Sequence, residues 1–126
     1  MDLNLRSSKS LQQRARARII VGNSAGALAL SKTYVATGEQ GGEPKVEAAP
    51  GLGLVDFGIT VHYKGPSTTY SVRSFDEGLK SSSERLKTGI YAIPERHALV
   101  WSDGSLNFVG DVYLFLQGEK TKCRVV

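Results

Sequence analysis

Two histidines and one cysteine are the only imidazole and thiol groups of this chain, so acid–base or thiol chemistry has few places to start. His62 alternates with apolar neighbours and shares its side of the chain with Asp56, Thr60 and Lys64. His97 follows Glu95 and Arg96. A carboxylate in contact with either ring would orient it and favour its protonated form, the arrangement general acid–base catalysis uses. Asp56 is the wrong partner for His62, because six residues along one strand span about 20 Å. An enzyme reading therefore needs a site assembled across strands around His62 or His97. A deep pocket with a carboxylate within hydrogen-bond reach of either ring is the observation that would revive it.

Other chemistries find less support. Neither histidine has a nearby His or Cys companion, so no metal ligand set is expected, and no cofactor. Gly22-Asn23-Ser24-Ala25-Gly26 is flanked by glycines, but no Gly-Lys-Ser/Thr follows and the next residues read as a strand. A hairpin turn accounts for it better than a phosphate loop. Gly38–Gly42 does not complete a dinucleotide fingerprint. Cys123 cannot form an internal disulfide. It stands fourth from the end, but Arg124 and Val126 make a poor prenylation box. Ser81, Ser82 and Ser83 read as an exposed helical face, and Tyr91, Trp101, Phe108 and Tyr113 as packing. No catalytic residue is named on these grounds, and the expectation is a protein that is not an enzyme.

Charge is the most uneven property. Residues 1–18 carry Arg6, Lys9, Arg14, Arg16 and Arg18 against Asp2 alone, and so hold the whole net charge of +4. A basic end on a neutral body suits a polyanion: the phosphate backbone of a nucleic acid, RNA foremost, or an anionic membrane surface. No aromatic residue lies between the arginines, so backbone contact without base stacking is expected. The N-terminus lacks the unbroken apolar stretch of a secretory signal. The longest dense apolar run, Val112–Leu116, is too short to span a bilayer. A soluble protein is expected, in a virion or a host cytoplasm.

The elements that would carry these residues are mostly strands. Arg14, Arg16 and Arg18 alternate with Ala15, Ala17, Ile19 and Val21, the period of two of a strand. Ala27–Thr37 reads as its return. Residues 38–53, rich in Gly and Pro, read as a long loop, with Lys45–Ala48 able to pair briefly at an edge. Leu54–Lys64 is the clearest strand, and Thr68–Arg73 its hairpin partner. Phe75, Leu79, Ser82 or Ser83, and Leu86 trace one helical face, giving a short helix near residues 75–88 that only packing can hold. Ile90–Ile93, His97–Ser102 and Ser105–Gln117 follow as strands, the last two joined at Asp103-Gly104. Val112–Leu116, apolar on both sides, is expected to lie inside the sheet. The fold class is α+β or mainly β: one antiparallel sheet of about six strands in sequential hairpins. Residues 1–18 form a basic arm or first strand, and 19–126 a single β-rich domain.

A basic terminus on a compact, turn-rich β domain is laid out as capsid, matrix and packaging proteins of viruses often are. The leading expectation is a non-enzymatic structural protein that self-associates into a homo-oligomer through exposed sheet edges. Arg6, Lys9, Arg14, Arg16 and Arg18 would contact nucleic acid or membrane, with no small-molecule substrate. The alternative is a regulatory or adaptor domain that binds a protein partner through the 38–53 loop.

Overall fold

The computed structural model describes residues 19–41, 43–63 and 72–123. Helix α1 (Ala25–Leu30) leads to strands β1 (Thr33–Gln40), β2 (Glu43–Pro50) and β3 (Gly58–Tyr63). Helix α2 (Val72–Leu86) is followed by β4 (Ile90–Pro94), β5 (Ala98–Ser102), β6 (Ser105–Val109), β7 (Val112–Leu116) and β8 (Glu119–Cys123). Six strands form one sheet in the order β2-β1-β3-β4-β7-β8, while β5 and β6 form a separate hairpin.

The fold is α+β, as expected, but the sheet is mixed rather than antiparallel. β1 runs parallel to β3, and β3 parallel to β4; the pairs β1–β2, β4–β7 and β7–β8 are antiparallel. β1 and β3 are parallel because β2 turns back on the outer side of β1 between them, and β3 and β4 are parallel because of the helix that joins them. Parallel neighbours cannot be joined by a tight turn and need a crossover, which α2 provides. Of the expected returning strand at Thr68–Arg73, Val72 and Arg73 belong to α2 instead, and 68–71 lie outside the described residues.

Other expectations shift with it. Ala27–Leu30, read as strand, is helical, so the described residues hold two helices rather than one. The 38–53 loop is mostly a hairpin: Thr33–Gln40 pairs with Glu43–Pro50 in unbroken register. Ser105–Gln117 is broken at Gly110 and Asp111 into β6 and β7, which lie in different sheets. The hairpin at Asp103-Gly104 is present, both residues having positive φ (48° and 76°). β7 lies inside the sheet between β4 and β8.

α2 covers one sheet face, where Val35, Tyr63, Leu79, Ile90, Ala92 and Phe115 form the core. Leu79 and Phe115 are fully buried, and each such side chain contributes about 1.5–3 kcal/mol. The serines of α2 are not a solvated run: Ser82 and Ser83 are buried. Ser83 Oγ donates to the Lys80 carbonyl (2.8 Å) and accepts the Gly118 N–H (3.0 Å), tying helix to sheet. On the opposite face, Phe57 stacks edge-on against Tyr91 and Trp101, and Tyr91 packs against Phe108, seating the β5–β6 hairpin. Among the described residues, no helix is long and apolar enough to cross a membrane.

Candidate active site

Three side chains far apart in sequence meet at one place. Ser24 Oγ lies 3.0 Å from His62 Nε2, and Glu95 Oε1 bonds the same ring at Nδ1. A carboxylate can only accept, so the Nδ1 nitrogen carries the proton of that bond. Nε2 is then a lone pair, and the Ser24 hydroxyl donates to it. A hydroxyl, an imidazole poised to take its proton, and an acid fixing the imidazole's tautomer are the three parts of an activated serine nucleophile.

Each part is positioned by a local irregularity. Ser24 sits where residues 19–23, which belong to no helix or strand, lead into α1, with φ 54° and ψ −119°, a conformation that residues with a Cβ rarely adopt. Its side chain makes no capping bond to the helix, which leaves Oγ for His62. Gly22 makes the turn possible, because a Cβ there would stand 2.7 Å from the Gly26 carbonyl oxygen and 2.8 Å from Ala27 backbone atoms. Gly22-Asn23-Ser24-Ala25-Gly26 is thus a Gly-x-Ser-x-Gly nucleophile elbow, in which a strained turn holds the serine out.

His62 owes its aim to a β-bulge. The β3–β4 register runs Val61 with Ile93 and then Tyr63 with Pro94, so His62 is the extra residue, at φ 57°. A bulge inserts one residue and redirects the side chains around it. By strict alternation Tyr63 would follow Ile59 and Val61, and His62 would share the side of Thr60. Instead Tyr63 joins the core beside Leu79 and Phe115, and Thr60 is the buried one of the expected polar face. Glu95 directly follows β4. Because β3 and β4 are parallel, their C-terminal ends lie together, the edge at which parallel sheets gather functional groups.

The site is open. The His62 and Glu95 side chains are each 46% exposed, and Ser24 is exposed. His97 plays a different part: its Nδ1 accepts the backbone N–H of Asp111 (2.5 Å), closing the loop between β6 and β7. Asp56 meets Lys32 (3.2 Å), not His62. Cys123 ends β8 with burial pushing its thiol pKa up. Among the described residues no cluster of three or more His, Cys, Asp or Glu could hold a metal. Arg6, Lys9, Arg14, Arg16 and Arg18 lie outside the described residues.

An elbow serine hydrogen-bonded to a histidine that an acid orients defines the class: a hydrolase-type site on an α+β fold. The chain belongs to peptidase family S51, whose model matches residues 5–109 and so includes all three residues. No curated protein and no solved structure matches. Family membership overturns the expectation of a non-enzymatic, virion-type structural protein and of an RNA-binding role as its identity. The match begins at residue 5 and so covers residues 5–18 of the basic segment as well.

The sequence carried one usable signal for this site. Read as a phosphate loop, Gly22–Gly26 fails; read as Gly-x-Ser-x-Gly ahead of a helix, it marks Ser24. The expectation of a strand after Gly26 hid the second reading. Glu95 had no signal of its own, since its meeting with His62 depends on β3 and β4 being parallel neighbours.

Proposed function

We propose that this chain carries the catalytic centre of a serine peptidase, with Ser24 as nucleophile, His62 as general base and acid, and Glu95 as the group that orients and stabilises the imidazole. The observation that carries this reading is the Ser24–His62–Glu95 chain of hydrogen bonds. Membership of a peptidase family supports a peptide as substrate.

The steps follow from the geometry. His62 Nε2 takes the Ser24 hydroxyl proton as Oγ attacks the carbonyl carbon of the scissile peptide bond. The N–H of Ala25, next after the nucleophile, is the donor an elbow supplies to the developing oxyanion. Glu95 stabilises the imidazolium without taking its proton. His62 then gives the proton to the leaving amine, and the C–N bond breaks to leave an ester on Ser24. Water, deprotonated by His62, attacks that ester, releasing the carboxylic acid and restoring the Ser24 hydroxyl.

The test is labelling with a fluorophosphonate, which phosphonylates an activated serine, followed by peptide mapping. Ser24 is expected to carry the label, and His62→Ala to lose it. Labelling elsewhere, or equal labelling of both proteins, would remove the basis for the proposal.

A further inference from the structure

The bulge that aims His62 ends in a residue with unusual attachments. Tyr63 is 4% exposed, and its ring packs against Tyr113 and Phe115 of β7. Its hydroxyl donates to Asp76 Oδ1, on the second turn of α2. The other carboxylate oxygen, Oδ2, accepts from Lys120 Nζ of β8 at 2.9 Å. That ammonium also stands over the Tyr63 and Tyr113 rings, 5.2 and 4.8 Å from their centroids. The side chains of Asp76 and Lys120 are only 14% and 23% exposed. Helix, bulged strand and outer strand thus converge on one tyrosine that directly follows the catalytic histidine.

We infer that Tyr63, Asp76 and Lys120 are positioning residues that lock the bulge, and through it the approach of His62 to Ser24. This rests on the reading of Ser24, His62 and Glu95 given above. A bulge is one residue away from regular pairing, and regular pairing would swap the faces of positions 62 and 63. His62 would then turn toward the α2 face and leave Ser24. Packing of the ring alone favours the buried position of Tyr63. The hydroxyl–carboxylate–ammonium chain adds directional, charge-assisted bonds that fix where along the strand the ring sits. A displacement of about 1 Å at a catalytic group can cost on the order of 100-fold in rate.

The experiment compares wild type with Tyr63→Phe, which keeps the ring, and Asp76→Asn, which keeps the carboxylate's shape. Three readouts are taken: kcat and KM separately on a peptide ester, the fluorophosphonate labelling rate of Ser24, and the downfield proton signal of the His62–Glu95 hydrogen bond. Both variants are expected to lose on the order of 10- to 100-fold in kcat with little change in KM, and to broaden or lose that proton signal. Lys120→Arg, which keeps the charge, is expected to retain most of the rate. If Asp76→Asn does not fold, Tyr63→Phe alone carries the comparison. Failure of wild type to label at Ser24 overturns the peptidase reading, not the anchor, whose effect is still read in the proton signal. A signal and kcat unchanged in the folded variants overturn the anchor while leaving the peptidase reading in place.

Discussion

Glu95 reaches His62 because β3 and β4 run side by side in the same direction and finish together, with Tyr63 paired to Pro94. The acid is the first residue past one strand, and the histidine the bulged residue near the end of the other. Their contact is a property of the parallel crossover through α2, and an antiparallel β3–β4 pair would place the two at opposite ends.

That geometry sets how the three site residues should differ on substitution. Ser24→Ala and His62→Ala remove the nucleophile and its base, and each is expected to lower kcat by about a million-fold, to the level left by binding and oxyanion donors. Glu95→Gln keeps the shape but disturbs the tautomer, and a loss of roughly 10⁴-fold is expected. The double variant Ser24→Ala/His62→Ala should be no worse than either single one, because the residues act as a unit. Steady-state kinetics on a peptide ester checks this, and additive losses would separate the two residues' roles.

The extent to which the site was legible follows from what each residue depends on. Local patterns named the α2 face, the Asp103-Gly104 turn and the strand holding His62, because helix period, turn chemistry and strand alternation are written within a few neighbouring residues. The parallel sheet is hidden because Thr68–Arg73 reads as a hairpin return of the preceding strand, which leaves the helix near 75–88, weak by composition with Gly78 and the consecutive Ser81, Ser82 and Ser83, no crossover to make. In the structure those small residues have a reason: a Cβ at Gly78 would stand 2.5 Å from Val46 Cγ2, so helix and β2 meet closely there. The bulge at His62 has no local mark at all. Its alternation is perfect in sequence, and only the pull of Tyr63 into the core breaks it.

Thr60 gives a test of that displaced alternation. It was expected on a solvated face with His62 and Lys64, yet it is 1% exposed, and its hydroxyl has no hydrogen-bond partner. A buried hydroxyl without a partner costs about 1–3 kcal/mol. Thr60→Val keeps the branched shape and removes that cost, so stability is expected to rise by about 1 kcal/mol with kcat unchanged. Urea unfolding and steady-state kinetics check the two halves. A destabilised variant would mean that the hydroxyl is bonded after all.

The Tyr63 phenol gives a pH dependence with a definite sign. Burial first, then the hydrogen bond and charge of Asp76, raise its pKa above the ordinary 10.0. The folded state therefore holds the phenolic proton at pH values where the unfolded chain releases it. The contribution to stability is complete below pH 10 and declines as pH rises beyond it. Chemical unfolding between pH 8 and 11 should show stability falling above about pH 10, with a shallower fall in Tyr63→Phe. Equal slopes for the two proteins would show that the phenol does not titrate with unfolding.

Cys123 separates a serine nucleophile from a thiol one. Its thiol is partly covered where β8 pairs with Val112, and burial raises its pKa above the ordinary 9.0. The thiolate is the reactive form, and a raised pKa lowers its fraction at neutral pH. Iodoacetamide is therefore expected to modify Cys123 more slowly than it modifies free cysteine at pH 7.5, and Cys123→Ala to keep wild-type kcat and KM. Fluorophosphonate should still label Ser24 fully in the alkylated protein. Loss of activity that tracks alkylation of Cys123 would instead place the thiol in the chemistry, and the elbow serine would lose its claim to be the nucleophile.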